Sequence, residues 1–196
     1  MTKTEQARAL LHEWVQSESL RTHCKAVATS MRHFAQQQGA DEDLWSAVGL
    51  LHDMDYEQYP NLEHKEDAHP FVGVAYLREH GWSEEVCRAI LSHADYSGVP
   101  RETPMEKTLA AVDELSSFVL AVALVRPSKS VHDVDVRSVR KKMKDKAFAR
   151  AVNREEIAHN AEALDMPLDD VIQQVIVALQ GNARELGVEG VTARGE

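Results

Sequence analysis

Residues 44–53, LWSAVGLLHD, decide how this chain is read, because an apolar line ends there on two adjacent polar side chains. Leu44, Val48 and Leu51 recur at helical spacing behind Asp41, and Glu42 and Asp43 follow that cap as first-turn acids. The spacing predicts a helix capped by Asp41 that stops at His52-Asp53. His52 continues the Leu44–Val48 line at spacing four, and Asp53 is turned about 100° from it around the helix. Side chains paired in this way at one helix end can offer an imidazole to one ion and a carboxylate to a second.

The same periodicity extends in both directions. Leu10, Leu11, Trp14 and Val15 mark a first helix; Leu20, Cys24, Val27, Met31 and Phe34 mark a second, opening at Ser19 and ending at Gly39. After the polar run 54–67, MDYEQYPNLEHKED, a helix is expected from His69-Pro70 to His80-Gly81. Another, capped by Ser83, carries Val86, Ala89 and Ile90 up to His93. The loop 95–104, DYSGVPRETP, leads to a long apolar helix over 105–126 that Pro127 ends. Residues 135–187 read as further helices, with Leu168, Val171, Ile172, Val175 and Leu179 as a core face, and 188–196 read as a loose tail. No stretch alternates as a strand does, so the expected fold class is all-α, in a single domain over 1–187.

Composition narrows the function. A net charge of −10 disfavours nucleic acid and anionic membrane as bulk partners. No run reaches the roughly 18 apolar residues of a membrane span, and MTKTEQARALLHEW has no signal core, so a cytoplasmic location is expected. Cys24 and Cys87 are too few for a disulfide framework and read as buried free thiols. Trp14, Trp45 and Trp82 read as packing residues. The segment 137–150, RSVRKKMKDKAFAR, is basic and reads as a solvated face.

The chemistry lies in where the histidines and aspartates fall. His23 sits three residues after Leu20 and four before Val27, beside the apolar face of its helix. Asp113 lies within the apolar 108–125 stretch, where a carboxylate needs a cation, a hydrogen-bond network or partial exposure. His69 and His93 each mark a helix end next to a loop, where side chains can converge on a cleft. His12, His33, His80, His132 and His159 fall on exposed-looking or terminal positions and are assigned no chemistry.

The order His23, then His52-Asp53, then Asp113 resembles the HD superfamily of metal-dependent phosphohydrolases, and HPFVGVAYL with His69 and AILSHADYSGVP with His93 resemble the segments of its two-metal branch. The resemblance covers about residues 19–125 and implies a helical bundle with additional C-terminal helices. It further implies that His23, His52, Asp53 and Asp113 hold a first metal, and that His69 and His93 hold a second with Asp53 bridging. Tyr56 stands where the cyclic-dinucleotide phosphodiesterases of that superfamily have a lysine, and Ser97-Gly98-Val99-Pro100 lacks their tyrosine, which turns the expectation away from such substrates. Those enzymes also pair two histidines where this chain has His93 followed by Ala94, so no third metal is expected.

A mixed imidazole and carboxylate set suits one or two divalent ions, whether Mn, Fe, Co, Ni, Zn or Mg. The reaction expected is hydrolysis of a small phosphomonoester or nucleotide by metal-activated water. Asp53 and Asp55 are the expected catalytic carboxylates, Asp55 as acceptor or relay of a proton. Tyr56, His64 and Lys65 in one loop, with Asp95, Tyr96 and Arg101 in the other, are candidates for substrate contact, and Lys65 and Arg101 are the expected phosphate-facing cations. The same six ligands also suit a di-iron oxygenase of the HD type, or a non-catalytic module that a metal stabilises.

Overall fold

A computed structural model of the chain describes residues 1–61 and 65–191. Among them are nine α-helices, two single-turn 3-10 helices and no strand, so the protein is all-α. The chain divides into two units, Met1–Ala110 and Ala111–Glu196.

The first unit holds α1 (Lys3–Trp14), α2 (Glu18–Gln38), α3 (Glu42–Leu51), α4 (Phe71–Glu79) and α5 (Glu84–His93), a 3-10 turn at Asp95–Ser97, and the start of α6 (Pro104–Leu124). The capping chemistry places most ends close to expectation. Asp41 accepts from the N–H groups of Asp43 and Leu44 at the head of α3. α2 is capped by Ser17 rather than Ser19, because Ser17 Oγ is the acceptor that reaches the Leu20 N–H. Asp43 accepts from the N–H groups of Lys3 and Thr4 at 2.7 and 3.0 Å, so one carboxylate on α3 ties down the first turn of α1.

α3 is the centre of this unit. Trp45 to Leu51 are all buried, and α1 and α2 pack against it. The approach of α2 is close enough to require glycine: a Cβ on Gly49 would stand 2.5 Å from Ala28 Cα and 2.6 Å from Ala28 N. The close seating of α3 on α2 therefore depends on residue 49 having no side chain, and His52 is three residues further on. Cys24 and Cys87 are buried thiols that form no disulfide among the described residues, and Trp45 and Trp82 are buried.

The second unit holds the rest of α6, a 3-10 turn at Val131–Asp133, α7 (Val136–Met143), α8 (Arg154–Ala163) and α9 (Leu168–Gly181). Its core includes Leu115, Phe118 and Val122 with Val171, Ile172, Val175 and Leu179, all at most 2 % exposed. Residues 188–191 depart from the loose tail expected there. Val188 is fully buried, its carbonyl accepts from Val131 N at 2.8 Å, and Val191 N donates to Ser128 O at 2.9 Å. A short antiparallel pairing with residues 128–131 thus holds the backbone, and the burial of Val188 adds an apolar anchor. Residues 192–196 lie outside the described part. Among the described residues, no helix is long and apolar enough to cross a membrane.

Candidate metal centre

Five of the six expected ligands are carried by four separate pieces of the first unit and converge. His23 comes from the middle of α2, His52 and Asp53 from the end of α3, His69 from the segment before α4, and His93 from the last residue of α5. Asp53 lies at their focus. Its Oδ2 is 3.3 Å from His23 Nε2 and 3.5 Å from His52 Nε2, and its Oδ1 is 3.3 Å from His69 Nε2 and 3.5 Å from His93 Nε2. One carboxylate thus offers one oxygen to each pair of histidines. Asp53, His69 and His93 bring ligand atoms within 4.8 Å of one another.

The other ring nitrogens settle which way these imidazoles face. His52 Nδ1 lies 2.8 Å from Gly49 O and His93 Nδ1 lies 2.5 Å from Ile90 O. His69 Nδ1 lies 2.7 Å from Asp55 Oδ1. Carbonyl and carboxylate oxygens only accept, so in the neutral rings Nδ1 carries the proton and donates, and Nε2 presents a lone pair. Three lone pairs and a carboxylate then face one another, with His23 Nε2 3.0 Å from His52 Nε2. Such a set of acceptors favours positive charge among them, which a divalent cation could supply. Rings that carry protons in place of an ion act on Asp53 in the same sense: burial raises its carboxyl, but the charge of His52 and hydrogen bonds from His23 and His93 then hold it well below the usual carboxylate range.

Asp113 lies in the second unit, on α6, and is partly exposed although Val112, Leu115 and Ser116 around it in sequence are buried.

Several loop residues take places other than those expected. Asp55 does not face an open loop. It is 1 % exposed, because the chain turns back after α3 and tucks it beneath α4, where Oδ1 accepts from His69 and Oδ2 accepts from Gly73 N at 2.7 Å. It has no open face for relaying a proton to a substrate. Arg101 is likewise not aimed at a phosphate: its Nε donates to Ser92 O at 2.8 Å, and its Nη2 to His93 O at 2.9 Å and Asp95 Oδ1 at 2.5 Å. It satisfies the last carbonyls of α5 and so steadies the helix end that carries His93.

Tyr56 and Tyr96 remain accessible, 45 % and 37 % exposed, and both touch His69. Tyr56 meets its ring edge-on at 5.2 Å, and the Tyr96 hydroxyl donates to its carbonyl at 3.0 Å. Burial, reinforced by the charges of Asp53 and Asp55, pushes the Tyr96 phenol up to about 12, so it keeps its proton at neutral pH. Lys65 and Asp95 are exposed, and His64 lies outside the described residues. Asn61 was not singled out from sequence, yet its Nδ2 donates to Lys65 O at 2.8 Å and to His69 O at 2.7 Å, joining the loop to the ligand. A lone asparagine in a polar run carries no signal for that role.

The basic segment forms α7 and the turn after it. Arg137, Arg140, Lys141 and Lys144, with Val136 and Asp169, line a groove in the second unit, apart in sequence from every expected ligand.

Comparison with curated proteins finds no match, and comparison with solved structures finds none either. A family model described as HD domain matches residues 20–118, half of the chain. That span begins on α2 before His23 and ends on α6 beyond Asp113, so it takes in every residue expected to hold metal. With Asp53 at the focus of four imidazoles and the match running through all of them, this chain belongs to the HD domain family.

Proposed function

We propose that the protein is a metal-dependent phosphohydrolase acting on a small phosphomonoester or nucleotide. HD domains bind divalent metals and are largely metal-dependent hydrolases, and this chain has His and Asp groups able to hold such ions. The observation that carries the reading is the division of Asp53, one oxygen toward His23 and His52 and the other toward His69 and His93, as a carboxylate shared between two ions requires. Asp113 completes the first set in this reading, on the strength of the family's ligand order.

Divalent ions so held supply Lewis acidity toward a phosphoryl group and lower the pKa of water toward neutrality. The chain's own part is to hold and orient. His52, His69 and His93 each have Nδ1 engaged, which fixes the direction of Nε2. Tyr56 and Tyr96 give the centre an accessible aromatic rim suited to stacking or hydrogen bonding with the organic part of a substrate. Lys65 is exposed in the flanking loop and is the cation proposed to meet its phosphate.

The test is elemental analysis of the purified protein followed by a phosphatase screen with each divalent ion restored. Bound metal with ion-dependent phosphate release is the expected result; a metal-free, inert protein sinks the proposal. Imidazole-rich sets also suit iron, so the screen carries an oxygen arm. Oxygen consumption that requires iron, with no phosphate released, would favour an HD-type oxygenase.

A further inference from the structure

We propose that Asp55 is a positioning residue that fixes His69 in the tautomer whose Nε2 lone pair faces Asp53, and that Gly73 is the residue that lets it do so. The inference rests on the two-ion reading above and concerns only the half of the centre built on His69 and His93.

The geometry around Asp55 is closed. The side chain is 1 % exposed, and its two oxygens meet two different donors, the His69 ring and the Gly73 backbone, both at 2.7 Å. Gly73 is as closely fitted as the carboxylate. A Cβ there would stand 2.9 Å from Asp55 Cγ and 3.0 Å from Oδ2, so any side chain at 73 would push the carboxylate off His69. Gly73 lies four residues after His69, with Phe71 opening α4 between them. The segment that leads into α4 therefore supplies the ligand, and the first turn of α4 supplies the backbone donor that locks the ligand's orienter.

Only a carboxylate satisfies both donors. Asparagine has the same shape but one acceptor oxygen. If that oxygen faces the His69 ring, the amide nitrogen faces the Gly73 N–H, donor against donor. If the amide is turned over, its NH₂ faces His69 Nδ1 and draws the ring proton to Nε2, the atom that must bind. Either state weakens His69 as a ligand while leaving His23 and His52 unaltered. Partners of this kind characteristically govern metal affinity by about 10- to 100-fold.

The experiment has two arms. Metal-free protein is titrated with manganese(II) by calorimetry, in the wild type, Asp55→Asn and Gly73→Ala, with folding checked by circular dichroism. Two ions are expected in the wild type; in each variant one ion should bind about 10- to 100-fold more weakly and the other unchanged. Unchanged binding of both ions, or equal loss of both, overturns the inference, the second because it would make Asp55 a brace of the whole fold. The other arm needs no variant: the ¹⁵N shifts of the neutral His69 ring in metal-free wild type report which nitrogen carries the proton. A proton on Nδ1 is expected, and one on Nε2 overturns the inference even if the variants fail to fold. Should the wild type take up no manganese, the two-ion reading fails, and the tautomer still decides the role of Asp55.

Discussion

The histidine centre of the first unit and the basic groove of the second are both dense in polar side chains, yet they are assembled on opposite terms. At the centre three of the four rings are held on both sides, His52 by Gly49 O, His69 by Asp55 and His93 by Ile90 O at Nδ1, and the Nε2 of each is turned to Asp53. The groove draws four cations from one short helix and its end, Arg137, Arg140, Lys141 and Lys144, all exposed, against the single carboxylate of Asp169. Side chains converging from four separate segments need the whole unit to hold them, whereas cations spaced along one helix need only the helix. The difference teaches that convergence and fixed orientation, not density of charge, mark the place where chemistry can be organised.

Breaking the convergence should have the largest effect. Asp53→Asn keeps the volume of the side chain and removes the charge that both histidine pairs share. Loss of a ligand exceeds loss of an orienting partner, so metal affinity should fall by more than about 100-fold, and any ion-dependent phosphatase activity with it. Metal content after dialysis against limiting manganese, compared with wild type, reads this directly; retention of two ions would remove Asp53 from the centre.

The next effect comes from the scaffold under the centre. Gly49→Ala places a methyl 2.5 Å from the backbone of Ala28, which cannot yield as a side-chain tip could. Overpacking of this kind costs about 1–3 kcal/mol, and a chain of this size should lose roughly 2–4 °C of melting temperature per kcal/mol. Because Gly49 O also receives the His52 Nδ1 proton, thermal melts in the presence of manganese should show a weaker stabilisation by metal than in the wild type. An unchanged melting curve would mean that α2 and α3 do not approach as closely as described.

These two variants also mark what could be read in advance. His52 and Asp53 were legible because a helical apolar stripe leads up to them, and His93 because it ends another. Asp55, expected as a catalytic carboxylate, and Arg101, expected as a phosphate-facing cation, both sit in polar runs that look like open loops, yet the structure gives each a partner within the fold. Their roles depend on tertiary placement: Asp55 lies beneath Gly73, which is 18 positions away, and Arg101 folds back onto carbonyls at positions 92 and 93. No local periodicity encodes such contacts. Residues 188–191 differ in the same way, since VEGV reads as a tail, whereas Val188 finds a buried place and a backbone partner at Val131.

Within the second unit, Asp135 caps α7, the helix that lines the groove. Asp135→Ala should cost about 1 kcal/mol at neutral pH and leave manganese uptake unchanged. The backbone N–H and side chain of Ser138, which outweigh partial burial, hold the Asp135 carboxyl below its usual range. A carboxyl with a lower pKa folded than unfolded contributes stability that is fully present above the unfolded value, about 3.9, and is lost as pH falls through the folded value. The gap between wild type and Asp135→Ala in urea melts should therefore narrow below about pH 4. A gap constant from neutral pH to pH 3 would assign the cap to geometry rather than charge.

The smallest effect is expected in the groove itself, and its sign is informative. Arg137 and Lys141 stand four residues apart on α7 and repel by a few tenths of a kcal/mol, and Arg137 also places a cation in the first turn, where the helix dipole favours an anion. Arg137→Glu reverses both terms at once, giving a Glu-to-Lys pair at the favoured spacing and a first-turn acid. It should stabilise the protein by about 0.5 kcal/mol in urea melts, with metal binding unaltered. A loss of stability instead would show that the guanidinium is held by contacts of its own, and the groove would then share the character of the histidine centre rather than contrast with it.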